Sequence, residues 1–128
     1  MEKEAFENIA KKIVNASYNV HKEMGPGLLE SIYELCLIKE LNILGLNVAS
    51  QVSVPLIYKG YELSKDFRID ILVENEIILE IKSVEALLPV HQAQLISYLK
   101  LLDKRLGFLI NFNVSTIKEG IHRFVNKY

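Results

Sequence analysis

The chain of 128 residues holds one cysteine, has a formal net charge of only −1, and contains no apolar run long enough to cross a bilayer. Each shortage excludes something. A lone thiol, Cys36, rules out a disulfide framework and a cysteine-based zinc site, and reads as a half-buried thiol in a helix of a cytosolic protein. The longest apolar stretches, such as LGFLINF, fall far short of a membrane span, and MEKEAFENIAKK alternates acids and bases without a signal-peptide core. A cytoplasmic protein with no membrane partner is expected. Near-neutrality argues against tight nonspecific binding of nucleic acid by a monomer, although fifteen lysines and arginines leave room for a local basic patch. There are no repeats, low-complexity segments or linkers. The expectation is one compact domain over residues 1–128, large enough to bury roughly two-thirds of its unfolded surface without a metal or disulfide.

What is present is periodic. From Glu4 to Met24 the apolar residues recur at helical spacing, and GPG at 25–27 ends that helix. A second helix is predicted over Leu28–Leu44, with Ile32, Leu35, Ile38 and Leu41 as its buried stripe and Gly45 as its C-cap. The period then changes. VSVPLIY (52–58), DFRIDILV (66–73) and IILEIKSV (77–84) read as strands, joined by turns at KG and ENE. Pro55 removes one ladder donor and predicts an edge or a bulge there. A helix over Val90–Leu102, a strand over 105–112 and a terminal strand in GIHRFVN complete the order. This is an α/β pattern: a meander of antiparallel strands, a crossover helix and a further strand, giving a mixed sheet with helices on its faces.

Three charges interrupt the apolar strands: Asp70, Glu80 and Lys82. Alternation puts Phe67, Ile69, Ile71 and Val73 on one face of their strand, and Arg68, Asp70 and Leu72 on the other. It likewise separates Ile77, Leu79 and Ile81 from Ile78, Glu80 and Lys82. If the strands are hairpin neighbours, the charges converge. A structural salt bridge would explain them. So would a divalent cation held by two carboxylates beside a lysine, since magnesium takes hard oxygen ligands and lets water and phosphate complete its shell. The metal site stands only if the register puts Asp70 and Glu80 on one face. Val73 opposite Ile77 leaves Glu74-Asn75-Glu76 as a three-residue loop, with Asn75 suited to the left-handed region, and brings Asp70 opposite Glu80. Two helical patterns add polar groups. Glu30 and Tyr33 share a face in GLLESIY, and His91, Gln94 and Tyr98 form a polar stripe in HQAQLISYL.

Together these residues resemble the family named for its GxxExxY signature, here Gly27 to Tyr33, within the PD-(D/E)XK nuclease superfamily. The resemblance runs from the first helix to the IKEGIHRFVN ending. Asp70 matches the first acidic motif, Glu80-Ile81-Lys82 the E-x-K, and Gln94 to Tyr98 the Q-x-x-x-Y motif of recombination-helicase nuclease domains. Ile69 stands where the superfamily's name has proline. The resemblance implies a restriction-endonuclease-like fold and Mg2+- or Mn2+-dependent phosphodiester hydrolysis, with nucleic acid, DNA first, as the substrate. It implies Asp70, Glu80, the Ile81 carbonyl and Glu30 as metal ligands. Lys82 would position the attacking water, with Gln94 and Tyr98 orienting the site. A homodimer or a partner protein is compatible with it. The rival is a non-catalytic interaction module that keeps the nuclease scaffold: low net charge suits it, and the intact Asp, Glu-x-Lys, Gln and Tyr set speaks against it.

Overall fold

A computed structural model describes residues 1–128. The elements in chain order are α1 (Lys3–Met24), α2 (Glu30–Ile43), β1 (Val48–Tyr58), β2 (Tyr61–Val73), β3 (Ile77–Lys82), α3 (Pro89–Leu101), β4 (Leu106–Asn111), a single 3-10 turn (Ile117–Gly120) and β5 (Ile121–Val125). The five strands lie in sequence order across one sheet. All neighbours are antiparallel except β3 and β4, which the α3 crossover makes parallel. β1 is an edge, and its register with β2 slips between Val54 and Leu56, around Pro55, as a missing donor requires.

The β1–β2 hairpin is longer than the sequence suggested, because β2 starts at Tyr61 rather than at residue 66. Its KG turn has Lys59 and Gly60 both in the left-handed region, which is what a two-residue hairpin turn demands. The second helix ends one residue earlier than expected, at Ile43, with Leu44 as its C-cap and Gly45 just beyond it. Gly45 at φ 81° lets Leu46 N–H reach the Leu41 carbonyl and Gly45 N–H reach that of Asn42.

Two cores sandwich the sheet. On one side α1 and α2 bring Phe6, Ile13, Tyr33, Leu37 and Leu41 onto Ile71, Val73, Ile77, Leu79 and Ile81. On the other, α3 lays Leu95, Tyr98 and Leu99 over Leu72, Ile78 and Leu109. The buried stripe of α2 is a correction to the sequence reading. Tyr33, Leu37 and Leu41 are inside, whereas Leu35 is 70% exposed. Leu41 is buried as expected and Ile38 packs partly against the same core, but Leu35 is turned outward, because buried Tyr33 and Leu37 set the centre of the stripe. Truncating Leu37 should cost about 2–5 kcal/mol, and truncating Leu35 within about 0.5 kcal/mol.

Gly107 on β4 sets the height of α3. A Cβ there would stand 3.0 Å from Leu95 Cδ1 and 3.2 Å from the Ile78 carbonyl oxygen. A side chain here would press on Leu95 and the Ile78 carbonyl and push them by a few tenths of an ångström, so glycine suits the close packing of α3 on β4.

Candidate active site

The β2–β3 register is the predicted one. Val73 faces Ile77, Leu72 faces Ile78 and Ile71 faces Leu79, so the same count sets Asp70 against Glu80. The Glu74-Asn75-Glu76 loop has both Glu74 and Asn75 at positive φ, where one left-handed residue was expected.

Beyond Ile71 and Leu79 the ladder stops, and the strands fork. Asp70 fills the fork: its Oδ2 accepts the Ile81 amide at 2.8 Å, replacing the missing backbone partner. A strand residue directs its N–H and C=O to the same side, so the Ile81 carbonyl is aimed into the same gap. Lys82, one residue on, turns its carbonyl the other way, to Phe112 N–H.

The fork is also where the hairpin changes faces. Ile71 and Val73 pack under α1 and α2, but Ile69 packs in the α3 core beside Val54. The simple alternation from Phe67 to Val73 is therefore broken at Asp70. Opposite it, Gln51 sits in β1 at φ 51°, a strained value for a side-chain-bearing residue. Arg68 Nη1 donates to the Gln51 carbonyl at 3.2 Å and holds it there.

Glu80 is the unusual group. It is one of three buried polar or charged side chains, at 5% exposure, and its Oε1 is buried with no hydrogen-bond partner. Burial, then the adjacent Asp70 charge, pushes its pKa up to about 9, so at neutral pH it carries a proton that it can donate to Asp70. Lys82 lowers that value only in part. Its ammonium makes no ion pair: the molecule's two salt bridges are Lys65–Glu62 and Arg123–Glu7. The salt-bridge explanation of these charges is therefore not what the side chains do.

On α3, Gln94 Nε2 donates to the Tyr98 hydroxyl at 3.1 Å. Burial raises the Tyr98 pKa, the nearby acid Glu80 adds to this, the Gln94 hydrogen bond opposes it, and Asp70 adds a little more. His91 has a different task. Its Nδ1 accepts Leu88 N–H at 3.0 Å and caps the start of α3.

From α2 the geometry differs from the sequence reading. Tyr33 is structural: its hydroxyl accepts Leu28 N–H and donates to the Gly25 carbonyl, and its ring stacks on Phe112 at 4.6 Å. Ser83 Oγ donates to the Leu28 carbonyl, tying this loop to the end of β3. Glu30, exposed at the first position of the helix, does not join Asp70 and Glu80 in a cluster of three; no three His, Cys, Asp or Glu side chains in the chain form one. The α2 acid that reaches Asp70 is Glu34, one turn on. Gln51 Nε2 bridges them, 2.8 Å from Glu34 Oε1 and 3.5 Å from Asp70 Oδ1. Burial pushes the Glu34 carboxyl up, Gln51 opposes this, and Asp70 and Glu30 add to it. Neither Glu34 nor Gln51 was singled out from sequence. The i, i+4 spacing of Glu30 and Glu34 was the available signal.

A family model described as the PD-(D/E)XK nuclease superfamily matches residues 7–124. The chain belongs to that superfamily. No curated protein and no solved structure gave a significant match. The mixed five-stranded sheet with its three helices is accordingly a restriction-endonuclease-like fold, whose members typically use divalent metals. The residues here fit such an ion. Two carboxylates and a strand carbonyl converge on one gap as hard oxygen donors, and one carboxylate oxygen is buried without a partner. No helix is long and apolar enough to cross a membrane.

Proposed function

We propose that the chain hydrolyses phosphodiester bonds in nucleic acid, DNA first, with Mg2+ or Mn2+ held at the β2–β3 fork. The unpartnered Glu80 Oε1 beside Asp70 is the observation that carries this reading. A buried carboxyl oxygen without a partner is costly to keep, and a ligand from outside would repay the cost.

Asp70, Glu80 and the Ile81 carbonyl would hold the ion, while Glu30 and Glu34 supply negative charge from the α2 side. When bound, the ion would supply Lewis-acid activation of water and neutralise charge on the phosphate. Lys82, free of any ion pair, orients the attacking water and offsets charge that develops on the phosphate. Gln94 fixes the Tyr98 hydroxyl toward the carboxyl pair, where it can donate to a phosphate oxygen. Gln51 keeps Asp70 and Glu34 apart by bonding to both. Glu80 must lose its proton to act as a ligand, so the affinity for the ion should tighten as pH rises from neutral toward 9.

The GxxExxY assignment gains a physical rationale from the loop. Gly27 takes φ 95°, and Tyr33 pins the turn through two hydrogen bonds. A lone thiol and a nucleic-acid substrate suit a cytoplasmic protein. The test is incubation of purified protein with mixed nucleic acids, with manganese or with chelator, beside Lys82→Ala. Cleavage is expected only for wild type with metal. Equal cleavage by both proteins would reveal a contaminant and contradict the mechanism. No cleavage under any condition would leave the non-catalytic module standing.

A further inference from the structure

A groove of about 270 Å³ runs between the β1–β2 hairpin and α3, lined by Val54, Leu56 and Phe67 on one wall and by Gln94, Ser97 and Tyr98 on the other. Its origin lies in the sequence. The hairpin changes faces at Gln51 and Asp70, so its apolar side turns toward α3, and the slip around Pro55 bends it away again.

Three features bear on what fills it. The groove is lined by Gln94 and Tyr98, the same hydrogen-bonded pair that belongs to the candidate active site, so it adjoins that site. Its walls are apolar and include Phe67, an aromatic ring left 49% exposed, while Gln94 and Ser97 bring an amide and a hydroxyl. Its volume is at the small end for ligand sites, suited to one planar ring system. Such a groove offers stacking faces plus a few donors and acceptors, which is what a nucleobase uses. A net charge of −1 gives the chain little general attraction for phosphates, and stacking does not depend on that charge.

We infer that this groove is a nucleobase pocket, and that the substrate reaches the carboxyl pair as unpaired, single-stranded nucleic acid. A base in a duplex would first have to be unpaired and unstacked, at a cost in free energy, before it could enter beside Phe67 and Tyr98, whereas a single strand offers its bases without that cost. The inference deepens the nuclease reading and rests on it for the identity of the occupant.

Binding in chelator tests it without any cleavage. Wild type, Phe67→Ala and Phe67→Tyr are titrated into a labelled single strand, the matching duplex, and a strand carrying 2-aminopurine. The single strand should bind more tightly than the duplex, and 2-aminopurine fluorescence should be quenched. Loss of one stacked base in Phe67→Ala should weaken single-strand binding about fivefold to a hundredfold, while Phe67→Tyr stays near wild type. If Phe67→Ala fails to fold, Phe67→Leu, which is apolar but has no ring, should lose the quenching. Equal or tighter duplex binding, or unchanged binding on removal of the ring, overturns the pocket and leaves the groove to a protein segment. The two readings fail separately. Metal-dependent cleavage with indifferent Phe67 variants would remove the pocket and keep the nuclease, whereas stacked binding without cleavage would do the opposite.

Discussion

Glu7 and Glu80 are both glutamates set against the sheet, and their surroundings differ in almost every respect. Glu7 on α1 is gripped by the Arg123 guanidinium of β5, with Nη1 2.9 Å from Oε1, and by the Tyr128 hydroxyl. Arg123, then Tyr128, draws its pKa down to about 2. Glu80 is buried, lies next to a second carboxylate, keeps an oxygen without a partner, and sits at about 9. One carboxylate joins two ends of the chain and has every charge answered. The other is held in a state the fold alone does not reward. A buried group kept unpaired at a cost marks chemistry, and a fully paired one marks scaffolding.

Variants should break this contrast most visibly in rate. Asp70→Asn, Glu80→Gln and Lys82→Ala are each expected to lower metal-dependent cleavage by roughly a hundredfold or more while the proteins stay folded, measured as initial rates alongside circular dichroism. Gln94→Ala and Tyr98→Phe, which orient the site without holding the ion, should lose about tenfold. A Lys82→Ala rate matching wild type would remove the distinction altogether.

The pH dependence of stability sharpens the comparison, because the two glutamates move it in opposite directions. Glu80 is raised from an ordinary 4.5, so the fold holds a proton that the unfolded chain releases. Its contribution in chelator is fully present below about 4.5 and is lost as pH climbs through 9. Glu7 is depressed, so its contribution is present above 4.5 and is lost as pH falls toward 2. Urea denaturation from pH 3 to 9 should therefore lose its downward slope between about 4.5 and 9 in Glu80→Gln, and its upward slope below about 4.5 in Glu7→Gln. The smallest effect belongs to Glu7→Gln in the cleavage assay. It should melt lower and cut at the wild-type rate, since its partners are remote from the fork.

Much of this was legible in the residues. Strand alternation, a three-residue loop with Asn75, and the spacing of Gln94 and Tyr98 were enough to bring the carboxyl pair and its neighbours together. Three things were not. Glu34 was hidden because Glu30, beside the opening glycine, drew the same signal one turn earlier. Gln51 owes its role to a left-handed backbone in mid-strand, which no pattern in VASQVSV announces. Ile69 changed cores because the fork at Asp70 interrupts the alternation on which its assignment rested. These three lie at or beside the fork, where local rules give way to the demands of the site, whereas the outward turn of Leu35 on α2 is a matter of core packing alone.

The central claim is that Glu80 is kept for a ligand. Thermal melts of wild type and Glu80→Gln at pH 8, in chelator and in excess manganese, test it most directly. Without metal, Glu80→Gln should be as stable as wild type or more so, because at pH 8 the wild-type carboxyl must take up a proton to be buried and the amide needs none. With metal, wild type alone should rise, by about 2.7 kcal/mol once manganese is a hundredfold above its dissociation constant. A Glu80→Gln protein that melts clearly lower in chelator, with neither protein responding to manganese, would contradict the account.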